Sequence, residues 1–171
     1  MNNNKHAEIL ARGHLNLEAN QQGKMSTQQK DWLRQDMKKE RQRQYQMAFM
    51  SCVVFLVVAI IVILMPFLPI PIIAVPIIWG IGFALWYGYI WVQEKPIQDD
   101  LKAGGVQAVT GYIDKSTEQG YHVILGGVKY ATHPDMYPAF DETLLYTIYV
   151  TSQSKIVLSA EIATSIDDPM Y

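Results

Sequence analysis

The chain has 171 residues and a formal charge of −2, but the charge is unevenly distributed. Residues 1–46 contain nine lysines and arginines against five acids, whereas residues 93–171 contain five lysines against eleven acids. Between them, residues 47–92 contain no Asp, Glu, Lys, Arg or His. The single cysteine, Cys52, excludes an intramolecular disulfide and a cysteine-based metal site. The first apolar run begins too late and is too long for a cleavable signal peptide, so we expect none.

Residues 1–26 are predicted to form an N-terminal arm that is partly helical or loose. A short helix over about residues 5–19 is supported by four aliphatic side chains: Ile9, Leu10, Leu15 and Leu17. Gly13 interrupts this pattern, and the polar residues that end at Gly23 mark its end.

Residues 27–46 are predicted to form a basic juxtamembrane helix that runs directly into the apolar stretch. Ser26 and Gln29 have the spacing of a capping box at its start. Its last turns carry a cluster of cations: Lys38, Lys39, Arg41 and Arg43. One interpretation is a solvated helix that sets membrane topology. The other is a segment held by anionic lipid or an acidic partner, in which each basic residue near the surface contributes about 1 kcal/mol.

The uncharged stretch is long enough to cross a bilayer twice, since one helix needs about 20 apolar residues. Three prolines divide it, at positions 66, 69 and 71, and proline disfavours helix in the preceding residue. We predict transmembrane helix 1 over residues 46–65, a loop over 66–71 and transmembrane helix 2 over 72–92. A soluble helical core is disfavoured, because the chain has too little other apolar surface to cover two such helices.

Two crossings place both termini on one side of the membrane. The basic residues before the first helix identify that side as cytoplasmic, so the expected location is the plasma membrane of the cell. Aromatic residues that would form a belt at the same interface support this orientation: Tyr45, Trp86, Tyr87, Tyr89 and Trp91. No ionisable residue lies in the spans, so a polar path through one chain is not expected.

Gly80, Ala84 and Gly88 recur every four residues and therefore lie on one face of transmembrane helix 2. Such a stripe of small residues lets helix backbones approach closely in lipid. Two interpretations remain open: the stripe packs helix 2 on helix 1 of the same chain, or it forms an interface with another copy or a partner subunit.

After a linker over residues 93–104, residues 105–163 are predicted to form a small all-β domain, followed by a tail over 164–171. Five strands are expected: Val106–Ile113, Tyr121–Leu125, Val128–Thr132, Leu144–Thr151 and Ile156–Ile162. A short helical element over His133–Phe140 lies between the third and fourth strands. This order predicts a five-stranded, partly open barrel, OB-like or SH3-like. The domain is acidic, which argues against nucleic-acid binding, since phosphate contacts need a basic surface.

The strand that begins the domain has the pattern Gly-x-Val-x-x-Val-x-Gly, from Gly104 to Gly111. With the preceding hairpin and the later strand segments, residues 96–161 resemble small bacterial membrane proteins in which a compact β-domain sits beside one or two membrane helices. Those families have no assigned activity, so the resemblance implies an architecture and no catalytic residue.

A search for chemistry assigns no catalytic, cofactor-binding or metal-binding residue. His122 and His133 could approach each other across a hairpin, with Asp135 or Glu118 nearby, but two surface histidines are the simpler interpretation. No nucleophile elbow or phosphate-binding loop occurs. We therefore expect a non-enzymatic membrane-anchored interaction module or accessory subunit, with a homo-oligomer or a membrane complex as its setting. A membrane-tethered small-molecule sensor is the alternative, and an enzyme of another class is a distant third.

Overall fold

In a computed structural model, the described residues are 9, 14–64, 74–118 and 120–163. They belong to two compact units. One unit is Leu33–Pro96, and the other combines the described residues up to Trp32 with those from Ile97 onward. The predicted loop over 66–71 and the predicted tail over 164–171 lie outside the described residues.

In the described ranges 14–64 and 74–103, the helices are α1 (His14–Gln21), α2 (Thr27–Leu64) and α3 (Ala74–Ala103). The capping box that starts α2 is confirmed, because the Gln29 amide donates to Ser26 Oγ (3.1 Å) and the Ser26 amide donates to Gln29 Oε1 (3.0 Å). As predicted, α2 then runs without interruption into the apolar stretch.

Within the part of the chain that is described, one helix is long and apolar enough to cross a membrane. It is the segment Thr27–Ile61, with a mean hydropathy of 2.0 in its most apolar window. None of that window is buried within the protein. A long apolar helix is thus present, as its sequence predicts.

Residues 93–104, expected to be a linker, are helical as far as Ala103. Pro96 lies inside α3, where its ring removes one backbone donor. The helix ends at Gly104, whose φ of +66° is the left-handed conformation that favours glycine at a helix C-terminus. The Gly104 amide donates to the Asp100 carbonyl (2.8 Å), which closes the last turn.

The strands form two antiparallel sheets of three strands each. The six strands are β1 (Val106–Tyr112), β2 (Asp114–Ser116), β3 (His122–Leu125), β4 (Val128–Ala131), β5 (Leu145–Thr151) and β6 (Val157–Ile162). One sheet has the order β1-β5-β6 and the other β2-β3-β4. A 3₁₀ helix (Tyr137–Ala139) lies between β4 and β5. The described strands do not close into a barrel.

The predicted first strand, Val106–Ile113, corresponds to β1, and the structure adds a strand that was not predicted, β2, directly after it. β1 pairs with β5 as far as Tyr112 and β2 pairs with β3 from Asp114 onward, so the two consecutive strands belong to different sheets. Ile113 lies between β1 and β2 and is fully buried. Both sheets thereby share one core, with Tyr146, Ile148 and Val150 of β5 among its most buried members.

The N-terminal segment is built into this β-containing unit. Asn20 Nδ2 of α1 donates to Ser159 Oγ of β6 (2.5 Å), and both side chains are buried. Gln29 Nε2, at the start of α2, reaches the Leu158 carbonyl (3.4 Å). The sequence predicted a separate, partly helical or loose arm, with no docking onto the β-domain. The docking surface combines a buried polar seam, formed by Asn20 and Ser159, with apolar contacts: Met25 is 6% exposed and Ile9 packs against the core cluster.

Candidate functional site

In the unit Leu33–Pro96, α2 and α3 meet through a ladder of aromatic rings. Phe55 of α2 lies 4.8 Å from Trp79 of α3, measured between ring centroids. The ladder continues along α3, with Trp79 5.2 Å from Phe83 and Phe83 5.7 Å from Trp86. Large rings, rather than small residues, therefore fill the contact between the two helices.

A second contact between the same helices shows that they run antiparallel. Arg41 Nη2 of α2 lies 2.6 Å from Glu94 Oε2 of α3. At 1.5 Å per residue, Arg41 and Phe55 are about 21 Å apart along α2, and Glu94 and Trp79 are about 23 Å apart along α3. The two contacts therefore match in spacing, as expected for two antiparallel helices.

The ladder borders a cavity of about 310 Å³ in the same unit. The lining residues are Met47, Ser51, Trp79, Gly82, Phe83 and Trp86. Trp79 Nε1 is buried and has no hydrogen-bond acceptor in the described part of the chain. A buried donor without an acceptor costs about 1–3 kcal/mol. This indole is therefore a buried donor without a partner among the described residues of the unit.

The stripe Gly80, Ala84 and Gly88 is exposed within this unit. A Cβ atom added at Gly80 or Gly88 would meet no heavy atom within 4 Å. At about 100° per residue, the centre of the stripe lies about 130° around α3 from the aromatic ladder. The described parts of α2 and α3 therefore meet through the ladder, and the stripe faces away from this contact.

The predicted interfacial aromatic residues separate into two groups. Tyr45, Tyr87, Tyr89 and Trp91 are exposed, as residues that face a lipid interface would be. Trp86 is half-buried because it belongs to the ladder.

The four predicted juxtamembrane cations also differ in their surroundings. Arg41 forms two hydrogen bonds with Glu94, through Nη2 (2.6 Å) and Nε (3.4 Å). Arg43 lies 3.7 Å from Glu40 one turn earlier. Lys38 and Lys39 are exposed. Part of the positive charge read from the sequence is thus offset by acids of the same unit.

In the β-containing unit, the most buried charged group is Asp100, near the end of α3, at 1% exposure. Its carboxylate accepts hydrogen bonds from the Gln153 amide (2.9 Å), the Ser154 amide (2.7 Å) and Ser154 Oγ (2.6 Å). Asp100 belongs to residues 93–104, which the sequence predicts to be a linker, yet its side chain is buried. The β5–β6 turn that surrounds it is distant in sequence, so no local signal marks this role.

A chain of hydroxyl groups extends from Asp100 into the turn. Because the Ser154 proton points to Asp100, Thr151 Oγ1 is the donor in its 2.8 Å bond with Ser154 Oγ. Thr151 Oγ1 in turn accepts from the Ile156 amide (2.8 Å). Lys155 has a φ of +56°, the one left-handed non-glycine residue among those described. The carboxylate therefore orders a strained turn through successive, mutually polarised bonds.

The two strand histidines lie in different surroundings. His122 is paired with Ala131 across β3 and β4, and its Nδ1 is buried without a partner among the described residues. The His133 ring lies 5.7 Å from Trp32, and its Nδ1 is 3.2 Å from Asp135 Oδ2. Within the described ranges, no group of three or more His, Cys, Asp or Glu residues could hold a metal ion.

Tyrosines of the β-containing unit also divide by environment. Tyr121 and Tyr137 are in ring contact at 5.1 Å, and Lys115 Nζ lies 5.5 Å from the Tyr137 ring centre. Tyr112 is exposed, whereas Tyr130 is in the core and therefore unavailable to a ligand.

No family model, curated protein or solved structure matches this chain. Functional conclusions therefore rest on its own residues and contacts.

Proposed function

We propose that this chain is a non-enzymatic, membrane-anchored interaction module or accessory subunit that presents its β-domain at the cytoplasmic face of the plasma membrane. The observation that carries the proposal is the helix Thr27–Ile61. Its apolar part is long enough to span a bilayer, and its first turn is capped and bonded to β6 of the β-domain. One continuous helix therefore provides both the anchor and the attachment of the domain.

A second crossing by α3 is part of the proposal. The antiparallel ties at Phe55–Trp79 and Arg41–Glu94 support a hairpin, and the positive-inside bias supports cytoplasmic termini. Reporter fusions test it: a cytoplasmic reporter should be active at both ends of the chain. Activity of an extracytoplasmic reporter at the C-terminus would refute the second crossing.

We also propose an OB-like rather than an SH3-like arrangement for the β-domain. Ala131 of β4 forms a parallel bridge with Ile156 just before β6, and the Ala131 amide donates to the Lys155 carbonyl (2.9 Å). This bridge joins the free edges of the two sheets. The 3₁₀ helix between the third and fourth segments, counting β1 and β2 as one strand, also fits the OB order.

The proposed partner surface in the membrane is the stripe of Gly80, Ala84 and Gly88. Since the aromatic ladder already fills the contact with α2, a close helix–helix approach at the stripe would involve another copy or another membrane protein. Packing of small residues in lipid is specific to shape, so larger side chains there should block association.

The test is mild-detergent purification followed by native mass measurement of the intact assembly. We expect a homo-oligomer or a stoichiometric complex, and we expect Ala84→Leu to shift it toward the monomer. Leu85→Ile, a volume-conserving change at the next, lipid-facing position, is the matched control. A wild-type monomer with no co-purifying protein would refute the proposal.

A ligand sensor is the second candidate. Trp32 near the start of α2 contacts His133, which follows β4, so the juxtamembrane helix touches the domain that would hold the ligand. Binding of anionic lipid at Lys38 and Lys39 is a further possibility for the same helix. We propose no nucleic-acid partner and no cofactor.

A further inference from the structure

The start of α2 and the end of α3 are joined by backbone hydrogen bonds. The Met25 amide donates to the Gly104 carbonyl (2.9 Å), and the Val106 amide donates to the Gly23 carbonyl (3.0 Å). Lys24 and Gly105 form the bridge between these bonds. The residues just before α2 thus pair, as a short strand, with those just after α3.

Both helix ends also bind one supersecondary element, the β5–β6 hairpin. At the start of α2, the buried Gln29 amide group donates to the carbonyl of Leu158 in β6. At the end of α3, Asp100 accepts three hydrogen bonds from the turn that precedes β6. The helix ends, their backbone bridge and the hairpin therefore form a closed set of contacts.

The two attachments differ in strength. The Gln29 bond is long, at 3.4 Å, and joins neutral groups. The Asp100 bonds are 2.6–2.9 Å long and place a buried carboxylate against two amides and a hydroxyl. Charge-assisted bonds are about twice as strong as neutral ones. The Asp100 bonds therefore hold the end of α3 to the turn more strongly than the Gln29 bond holds the start of α2 to β6.

We infer that the β5–β6 turn, residues 152–155, is a coupling element that fixes the two helix ends together, with Asp100 as its positioning residue. A partner or ligand that moves this turn changes the end of α3 and, through the Met25–Gly104 bridge, the start of α2. The inference deepens the proposed function, because it names the part of the β-domain through which binding would reach both membrane helices.

Hydrogen exchange followed by mass spectrometry, on the full chain in lipid nanodiscs, tests the coupling. In Asp100→Asn, an amide NH₂ group replaces a carboxylate oxygen, so a hydrogen-bond donor faces the donor groups of Ser154. We expect exchange on the order of tenfold faster or more, not only in the turn but also at residues 97–103 and 27–32. Ser154→Ala, which keeps both backbone donors, should give the same pattern with smaller amplitude.

Thr147→Val is the matched control, because it removes an exposed hydroxyl bond to Thr110 at the other end of β5. It should leave both helix ends protected as in the wild type. Faster exchange confined to residues 152–156 in either test variant would overturn the inference and make Asp100 a local turn anchor. If Asp100→Asn does not fold, Ser154→Ala alone decides. Native mass is measured separately, so a failed coupling and a failed partner proposal remain distinguishable.

Discussion

The polar seam between α1 and β6 predicts that shortening its two side chains, Asn20 and Ser159, lowers the stability of the protein by unequal amounts. Asn20 and Ser159 are 2% and 0% exposed and share one hydrogen bond, while Asn20 Oδ1 has no partner within the described residues. Ser159→Ala would leave Asn20 with no side-chain bond at all, at a cost of about 1–3 kcal/mol for the stranded donor. Asn20→Ala removes both polar atoms of that side chain, including the unpaired Oδ1, and leaves the Ser159 hydroxyl without its donor.

We therefore expect the double variant Asn20→Ala/Ser159→Ala to be less destabilised than the sum of the single variants, by about 1 kcal/mol. Pulse proteolysis in detergent, across a urea series, measures the free energy of unfolding for all four proteins in the cycle. Thr147→Val again controls for loss of a hydroxyl far from the seam. Additive single effects would show that the two side chains do not interact, and a neutral Ser159→Ala would show that α1 is not docked.

Three further predictions concern single groups. Ser26→Ala removes the α2 cap and should lower the stability of the start of the helix by about 1 kcal/mol. The loss should appear as faster hydrogen exchange at residues 27–30. Unchanged exchange there would contradict the capping box. Burial, followed by the hydrogen bond to Glu161, raises the pKa of Tyr149 above its usual range, so its contribution to stability is complete below about pH 10 and is lost as the pH rises further. Between pH 9 and about pH 11, Tyr149→Phe should therefore lose less stability than the wild type, as measured by pulse proteolysis. The same slope of stability against pH in both proteins would argue against this role of Tyr149. Trp79→Phe removes the unpaired indole donor but also part of the ring contact with Phe55 and Phe83, so the two effects oppose each other. We expect a net loss of at most about 2 kcal/mol in thermal unfolding by circular dichroism, and a larger loss would contradict an unpaired donor at this position.

The periodicity of the apolar residues and the positions of capping and turn residues predicted most of the secondary structure, because these signals depend on residues close in sequence. Ser26 and Gln29 form a cap through bonds three residues apart, and Gly126 and Gly127 turn the chain with φ of +59° and +80°. The strand β2 was not predicted because Asp114–Ser116 is short and polar. Its strand conformation comes from pairing with β3, which a local pattern does not show.

The candidate sites depended more on tertiary contacts. A four-residue repeat correctly places Gly80, Ala84 and Gly88 on one face, but it does not tell which face meets α2. The ring contact between Trp79 and Phe55 shows which face of α3 meets α2, and a local pattern does not reveal it because the two residues are far apart in sequence. Asp100 looks like a solvated acid for the same reason: all three of its donors come from a turn about fifty residues later.

The contacts of the juxtamembrane basic residues also change the interpretation of their charge. Nine basic residues before the apolar stretch suggest strong attraction to anionic lipid. Arg41 is bonded to Glu94, and Arg43 lies near Glu40, so the exposed lysines at 38 and 39 are the stronger candidates for lipid contact. At about 1 kcal/mol each, these two lysines would contribute about 2 kcal/mol. That is far less than the insertion of an apolar helix would contribute, so in the proposed arrangement the basic segment would orient the anchor and would not replace it.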